Sequence, residues 1–323
     1  MYRKIINRYK EFGIKISTSL FLCKLYNYKY HNNLIAWKLL QRHHKNVLMY
    51  LRSKYNHIIE RYKAYSCRNN KDNSKQKFIW VFWWQGEAEA PELVHICIDS
   101  IRTHNQDSEV VVISQYNYEK YIYLPPYIVE KVQNGAITLT HLSDIVRACL
   151  LYEHGGLWLD ATIYNVSKIP VELFSYNYYT CKLSPQKISC ISQAQWAGYL
   201  FGAKKESIVP GYLRSFFFDY WKKEKSLIDY YLIDYIMYIG VHDIPEIRKL
   251  FEAIPLNNPN ILKLQDNMNL KFEKAVYKEL TEDTFLFKLQ RRLEYYKNDK
   301  GGKMTFYGYM WEECYKRRDR LSK

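Results

Sequence analysis

Residues 140–163 read THLSDIVRACLLYEHGGLWLDATI, and this stretch says most about the fold. Apolar residues at helical spacing lead to a double glycine, and a short apolar run then ends on Asp160. Gly155 is expected to end the helix as a left-handed cap. Asp144 and Arg147, at i and i+3, share the face opposite the apolar stripe. Because open α/β sheets bind ligands beyond the carboxyl ends of their strands, the stretch predicts polar side chains directed into such a crevice.

On both sides of this stretch the sequence alternates between strand and helix patterns. FIWVFWW at 78–84 and EVVVIS at 109–114 are short apolar runs typical of buried strands, and a helix from Pro91 to about His104 separates them. Strand, helix and strand in this order predict a parallel βαβ unit. Further strands are expected at 176–182, 198–203 and 284–289, and further helices at 207–222, 226–239 and 244–253. The predicted class is an α/β fold.

The positive charge of the chain is concentrated in its N-terminal quarter. The 323 residues carry a formal net charge of +15, and residues 1–77 hold 18 Lys and Arg against 3 acidic residues. Apolar residues recur there at helical spacing, and the polar stretch SCRNNKDNSKQK follows at 66–77. We interpret residues 1–77 as a basic helical region with a linker, and 78–323 as one domain whose part from 256 onward is mixed and mainly helical. Such a charge step indicates contact with the phosphates of a membrane or a nucleic acid.

The cysteines and the hydropathy pattern indicate a compartment. The seven cysteines form no CxxC pair and have no metal-ligand spacing, which is typical of a reducing environment. Neither a secretory signal nor a continuous apolar run of about 18 residues is visible. We therefore expect a cytoplasmic protein, peripheral to the membrane.

Asp160 alone allows two interpretations. An Asp after a strand often caps the following turn. A carboxylate at a strand end also suits Mg²⁺ or Mn²⁺, which would neutralise the diphosphate of a nucleotide-sugar. The residue type by itself favours the first interpretation, whereas the pattern around Asp160 favours the second.

Two segments resemble a known family. SDIVRACLLYEHGGLWLDAT at 143–162 resembles the S-D-[ILV]-x-R-x-x-x-L-Y-x-x-G-G-[IL]-[YW]-x-D-x-[DT] block of GT-A glycosyltransferases, and more closely that of the bacterial capsular polysaccharide synthesis family. FIWVFWWQGEAEAPELV at 78–94 resembles the W-x-x-W-x-Q-G-x-x-x-x-P-x-L-V start of the same family. The resemblance covers 78–255 well and 256–323 loosely. It implies a Rossmann-like GT-A domain that binds a nucleotide-diphospho-sugar.

The resemblance also implies roles for residues of the donor site. Asp144 and Arg147 would contact the ribose and the diphosphate or sugar, and Asp160 would be the first acid of an Asp-x-Asp motif, with Arg147 and Asp160 the catalytic pair. Thr162 stands at the position of the second acid. A hydroxyl can ligate Mn²⁺ or Mg²⁺ but brings no charge, so metal binding through Asp160 and Thr162 is expected to be weak or supported elsewhere.

Aromatic residues near the two segments have predicted roles as well. Trp84 would lie against a uracil-type base, with Trp83 and Trp80 as alternatives, because bases stack favourably on aromatic rings. His141 and His154 have no partner at zinc-ligand spacing and are interpreted as surface or capping residues.

A late element of the family, K-L-[ST]-[HWY]-K, reads KLQRR at 288–292 in this chain. Its last residues depart from the pattern, so the further metal ligand that this element can supply in the family is not expected here. Lys288, Arg291 or Arg292 is a candidate to neutralise the diphosphate directly.

Candidates for the acceptor side are Gln193, Gln195 and Trp196 in SQAQWAGY, and Asp229 or Asp234 in LIDYYLIDY. The two aspartates lie five apart on a predicted helix, for which a solvated role is the alternative. Related enzymes mostly retain the anomeric configuration through a front-face route, so no general base is assigned.

These patterns together predict a glycosyltransferase of capsule or surface polysaccharide assembly. It would move a sugar from a nucleotide-sugar, most simply a UDP-sugar, to a glycan on a polyprenyl-diphosphate carrier. Residues 1–70 would bind the inner membrane surface at its cytoplasmic face. The alternatives are a nucleic-acid-binding protein that uses the basic region, and a glycan-binding relative without activity. Since the excess charge is confined to one end of the chain, no nucleic acid is expected as a partner.

Overall fold

The computed structural model describes residues 2–25, 33–64 and 77–321. The polar stretch interpreted as a linker lies, except for Lys77, outside the described residues. The helices are α1 (Tyr2–Leu25), α2 (Leu34–Lys54), α3 (Asn56–Lys63), α4 (Glu92–His104), α5 (Pro126–Gln133), α6 (Leu139–Glu153), α7 (Ile208–Lys223), α8 (Leu232–Asp243), α9 (Pro245–Glu252), α10 (Lys263–Asn267), α11 (Lys274–Thr281) and α12 (Phe306–Leu321). The strands are β1 (Phe78–Phe82), β2 (Glu109–Ile113), β3 (Gly156–Leu159), β4 (Ile163–Asn165), β5 (Tyr179–Thr180), β6 (Leu200–Ala203) and β7 (Leu286–Lys288).

A five-stranded sheet with the order β2-β1-β3-β6-β5 lies at the centre of the fold. β1 pairs in parallel with β2 and with β3, whereas β6 pairs antiparallel with β3 and β5. This mixed sheet confirms the predicted α/β class and the parallel pairing of β1 with β2. The carboxyl ends of β1 and β3 meet at one edge of the sheet, where Trp83 and Asp160 follow them.

The double glycine lets α6 turn directly into the central strand. Thr138 caps the helix, its hydroxyl accepting a hydrogen bond from the His141 amide at 3.3 Å. Gly155 follows with φ +70°, which confirms the predicted left-handed cap, and Gly156 has φ +99°. A Cβ on Gly156 would collide with the backbone of Phe78, so only glycine allows β3 to lie this close to β1.

A second, two-stranded sheet joins β4 to β7 in antiparallel pairing. Ile163 lies opposite Lys288, and the Leu289 amide donates to the carbonyl oxygen of Thr162 at 2.9 Å. The sheet rests on a smaller apolar cluster that contains Tyr164 and Phe287 together with residues of α4 and α12. The pairing of β4 with β7 therefore places part of the C-terminal third next to the residues that follow Asp160.

The basic N-terminal helices share the main core with the sheet. Phe12 of α1, and Val47 and Leu51 of α2, belong to the same buried apolar cluster as β1 and β3. Tyr55, which precedes α3, donates its hydroxyl to Glu224 at 2.9 Å, and Arg52 is paired with Asp243 of α8 at 2.6 Å. Within the described ranges no helix is long and apolar enough to cross a membrane.

Two predicted elements differ in extent. The strand expected at 176–182 is limited to β5, and the helix expected from 226 begins only at Leu232. Asp229 explains the late start, because its carboxylate accepts a hydrogen bond from the Tyr231 amide at 2.9 Å and so forms a turn.

Candidate active site

Four charged side chains meet beyond the carboxyl end of β3. Asp160 accepts hydrogen bonds at Oδ1 from Arg147 Nη2, at 3.3 Å, and from the indole of Trp158, at 3.0 Å. Its other oxygen, Oδ2, accepts from Lys288 Nζ at 2.9 Å. Asp144 completes the group, with its Oδ1 at 2.9 Å from Arg147 Nη1. The structure thus brings together Asp144, Arg147 and Asp160 of the stretch 140–163 and adds Lys288; we refer to these four residues as the charged cluster.

Arg147 is held rigidly although it is charged. The residue is only 3% exposed, so the face of α6 that carries Asp144 and Arg147 is covered rather than open to solvent. Its guanidinium lies over the Trp158 ring, 4.8 Å from the ring centre. A Cβ on Gly198 would lie 2.9 Å from Nη1, so this glycine leaves the room that the guanidinium occupies. Two carboxylates and an aromatic face therefore fix the direction of the cation.

The two cations keep Asp160 ionised. Burial opposes the charged form of this carboxyl, but Lys288 and Arg147 outweigh it and hold the pKa of Asp160 below its usual range. Asp160 therefore meets its two partners as a carboxylate, and the side chains of Asp160 and Lys288 remain partly exposed at 31% and 24%. An incoming anion can reach the ammonium group of Lys288 from that side.

Lys288 is held at the motif by the pairing of β4 with β7. Its ammonium group donates to Thr162 Oγ1 at 2.8 Å as well as to Asp160. Of the three basic residues in KLQRR, Lys288 is thus the one with a hydrogen bond to the motif. Arg291 lies instead over the Trp83 ring, 5.6 Å from its centre.

The residues present fit a divalent cation poorly. Both oxygens of Asp160 and the hydroxyl of Thr162 already accept hydrogen bonds from side-chain N–H groups. Among the described residues there is no group of three or more His, Cys, Asp or Glu that could hold a metal ion. Binding of Mn²⁺ or Mg²⁺ by Asp160 and Thr162 remains a prediction.

The tryptophans predicted near the base separate into two groups. Trp80 is fully buried, donates to the Gly155 carbonyl at 2.8 Å and stacks on Phe78, so this alternative belongs to the core. Trp83 and Trp84 follow β1 at the edge where Asp160 lies, and both are half-buried. Trp84 packs near Tyr118 with 5.4 Å between ring centres. Trp83 and Trp84 therefore remain the candidates for contact with the base.

Asp234 is buried, which corrects the solvated alternative. Its Oδ1 accepts from the Trp196 indole at 2.9 Å. Burial, reinforced by the negative charge of Asp144, raises the pKa of Asp234 to about 7, although contacts with Cys190 and Trp196 oppose the shift. Asp229 lies outside α8 and contacts His43 at 3.1 Å. Asp234 is therefore in electrostatic contact with the charged cluster.

His141 is also buried, against the prediction of a surface or capping residue. It accepts a hydrogen bond from the Trp221 indole at 2.8 Å and lies 3.4 Å from Asp144. His154 does occupy the C-cap of α6, as predicted, and contacts the Tyr121 carbonyl at 2.6 Å.

A cleft of about 810 Å³ lies beside Trp196, between α2, the loop that holds residues 185–196, and helices α8 and α9. Gln193 in its wall and the adjacent Ala194 have φ of 49° and 65°, a left-handed backbone that non-glycine residues rarely adopt. Gln195 also lines the cleft and donates to the Leu183 carbonyl at 2.6 Å. Gln193, Gln195 and Trp196 are thus brought together, and Trp196 separates the cleft from Asp234.

Sequence reasoning missed three residues of the site. Trp158 was assigned only to the apolar strand, although its indole binds Asp160. Gly198 is predicted only as the first residue of the strand at 198–203, although it leaves room for the guanidinium of Arg147. Tyr230 is 66% exposed and lies within electrostatic range of Asp144 and Asp160. Its place in the sequence, next to Asp229, gives no sign that it lies near the charged cluster.

Comparisons with known proteins give one similar protein sequence and one similar solved structure. The O-glycosyltransferase PaGT of Phomopsis amygdali is 25% identical over 142 residues, which are 38% of this chain and 34% of that protein. The chain thus spans about a third of the length of this curated relative. The structure of the PaToxG Glycosyltransferase aligns at 11% identity with a TM-score of 0.36, over 74% of this chain and 98% of that one.

The family model described as "Capsular polysaccharide synthesis protein" matches residues 27–310, which include both segments of the predicted resemblance. This match covers most of the chain and confirms the resemblance. The chain belongs to the capsular polysaccharide synthesis protein family.

Proposed function

We propose that this protein is a glycosyltransferase that moves a sugar from a UDP-sugar to a polyprenyl-linked glycan in capsular or surface polysaccharide synthesis. The observation that carries the proposal is the charged cluster beyond β3, where Arg147 and Lys288 are held by Asp144 and Asp160. The family membership and the names of the relatives support the reaction class. We assign the sheet and this cluster to a GT-A-type donor domain.

Each side chain of the cluster has a role in this proposal. Arg147 and Lys288 bind the donor diphosphate, and Asp144 contacts the ribose. Trp84 or Trp83 covers the base. The chemical step builds negative charge on the departing diphosphate, and cations already fixed in place stabilise that charge without reorganisation. We propose retention of configuration, with Asp160 beside the sugar.

The cleft beside Trp196 is proposed as the acceptor site. Its amide and aromatic side chains suit a glycan, because amides bond to hydroxyl groups and rings pack against sugar faces. Asp234 lies behind Trp196 and interacts with Asp144, so the cleft and the donor cluster share this wall. Helix α2 forms part of the cleft, which ties the N-terminal region to acceptor binding.

The outer face of α1 is proposed to lie on the cytoplasmic face of the cell membrane. Ile14, Phe21 and Leu25 are 58%, 58% and 65% exposed, and their spacing places them on one side of the helix. Lys15 and Lys24 flank this stripe and are exposed as well. Apolar side chains between lysines suit the boundary between anionic headgroups and acyl chains. This position brings the enzyme to a lipid-linked acceptor.

Hydrolysis of the donor tests the proposed reaction class. The full-length protein is incubated with a panel of nucleotide-sugars, with and without Mn²⁺, beside Asp160→Ala. We expect at least one donor to be hydrolysed and the variant to be slower by about 100-fold or more. Asp107→Ala is the matched control, because Asp107 pairs with Lys77 and Lys168 at a distance from the cluster. Equal rates for Asp160→Ala and the wild type would refute the role of the cluster.

A further inference from the structure

We propose that the ammonium group of Lys288 takes the place of the divalent cation, so that donor turnover in this protein is independent of metal. The inference rests on the proposed glycosyltransferase function and names the group that neutralises the donor diphosphate. It is carried by the position of Lys288 relative to Asp160 and Thr162, and by the charges of these three residues.

The position of the ammonium group is that of a bound cation. Nζ lies 2.9 Å from Asp160 Oδ2 and 2.8 Å from Thr162 Oγ1. These are the two oxygens that the motif offers to a metal. A Mg²⁺ ion would need them at about 2.1 Å, within space that the ammonium group fills. Lysine and metal therefore compete for one place.

The charges match as well. Two carboxylates would balance a divalent cation, but Thr162 replaces one of them and leaves Asp160 as the single negative group of the motif. One ammonium group then balances one carboxylate. Threonine in place of the second acid thus weakens a metal site but suits a lysine. The Thr162 hydroxyl can still accept a hydrogen bond from the Lys288 ammonium group.

Backbone hydrogen bonds also fix the position of Lys288. The residue lies opposite Ile163 in the pairing of β4 with β7, and the next amide, of Leu289, binds the Thr162 carbonyl. Its chain therefore cannot move away from the motif without loss of backbone hydrogen bonds. Arg147 lies on the other side of the same carboxylate. Two fixed cations face the two negative charges of a diphosphate.

The chemical step is balanced without a metal. The bond between C1 of the sugar and the diphosphate oxygen breaks, and its electron pair goes to that oxygen. The acceptor hydroxyl oxygen forms the new bond to C1, and its proton passes to the departing diphosphate. Lys288 and Arg147 stabilise the charge that develops on the leaving oxygen.

The activity test compares Lys288→Met, which keeps the length of the side chain, with Lys288→Arg and with the control Lys278→Met. Lys278 is exposed on α11, so its loss removes one charge elsewhere. We expect wild-type turnover to be unchanged by EDTA, and Lys288→Met to be slower by about 100-fold with the thermal midpoint retained. Lys288→Arg should recover part of the rate. Loss of wild-type turnover in EDTA with recovery in Mn²⁺ would overturn the proposal.

Binding of Mn²⁺, followed by electron paramagnetic resonance, decides the question apart from activity. The wild type is expected to leave the signal of free Mn²⁺ unchanged, whereas the double variant Thr162→Asp with Lys288→Met should bind one ion per chain. The single variant Lys288→Met is titrated as well. If the wild type binds Mn²⁺, and Lys288→Met binds it no more tightly, the proposal is contradicted. If no donor is turned over under any condition, the proposed function fails, while this titration still tests the lysine.

Discussion

At the scale of single residues, Arg147 shows how the site depends on its surroundings. It is buried, yet it bonds to Asp144 and Asp160 and lies over Trp158. From helical spacing and the strand end, the sequence predicted that Asp144 and Arg147 share one face of the helix and that Asp160 is directed into the same crevice. It could not predict Trp158 or Gly198, because their roles come from approaches between separate segments rather than from periodicity.

Gly198→Ala tests whether the direction of the guanidinium matters. The new Cβ would lie 2.9 Å from Nη1 of Arg147. We expect the guanidinium to shift from the place where Asp144, Asp160 and Trp158 hold it, with about 1–3 kcal/mol of unfolding free energy lost. Donor hydrolysis should still fall by about 10–100-fold, since misplacement by about 1 Å is costly in a catalytic site.

Gly301→Ala is the control, because an added Cβ there meets only the Asp299 side chain at 3.3 Å. Equal hydrolysis by both alanine variants would show that the position of Arg147 does not matter.

Asp234 predicts a pH dependence of stability. Its pKa in the folded protein is about 7, above the ordinary value of 3.8, so the folded state favours the protonated carboxyl. The associated stability is present below about pH 4 and is lost as the pH rises through about 7. Asp234→Asn keeps an acceptor for Trp196 but cannot ionise. Relative to this variant, the wild type should lose roughly 2–4 kcal/mol of unfolding free energy between pH 4 and 8.

Urea denaturation at several pH values measures this difference. The comparison of the two proteins removes the contribution of Asp160, whose lowered pKa acts with the opposite sign at lower pH. Parallel stability curves for the wild type and the variant would contradict the assignment.

At the scale of elements, the sequence predicted what is local and missed what is long-range. The order β1, α4, β2, α6, β3 follows from apolar runs, spacing and the double glycine. The pairing of β4 with β7 joins segments more than a hundred residues apart, and no local pattern indicates which partner a short strand takes. Lys288 was therefore one of three candidates in the sequence and is singled out only by the sheet.

Gly156→Ala tests the join between α6 and β3. An added Cβ would meet the backbone of Phe78, and the residue has φ +99°. Gly302→Ala is the matched control, since Gly302 has φ +75° but no atom within 4 Å of the added Cβ. We expect the control to cost about 1–2 kcal/mol of unfolding free energy, and Gly156→Ala to cost clearly more. Equal losses in urea denaturation would show that the contact between β1 and β3 adapts.

At the scale of the whole molecule, the basic N-terminal helices share an apolar core with the rest of the described chain. The charge step suggested a boundary near residue 77, but α2 and α3 pack on α7 and α8 within one core. The charged residues show which side of these helices faces solvent. Helical periodicity shows that the other side is apolar, but not which part of the protein it packs against. The family match from residue 27 includes α2 and α3 as well.

The exposed stripe of α1 predicts binding to anionic vesicles. The double variant Phe21→Ser with Leu25→Ser removes two apolar groups from this stripe without a change in charge. We expect its binding to sedimented anionic vesicles to fall by at least about 10-fold, because each apolar side chain withdrawn from water contributes about 1.5–3 kcal/mol.

Leu256→Ser with Leu270→Ser is the control, since these leucines are 60% and 57% exposed but lie in the C-terminal part of the chain. Point variants are needed because deletion of residues 1–70 would remove the core residues Val47 and Leu51. Binding that rising salt does not weaken, or that the α1 variant retains in full, would contradict this orientation.

The central claim is sugar transfer at the charged cluster, and the most direct measurement is the mass of a polyprenyl-diphosphate-linked glycan after incubation with UDP-sugars. The account predicts that the acceptor gains one sugar residue, that UDP is released in equal amount, and that folded Asp160→Asn forms no more than about 1% of the product. An unchanged acceptor mass with every donor, or an equal gain with Asp160→Asn, would contradict it.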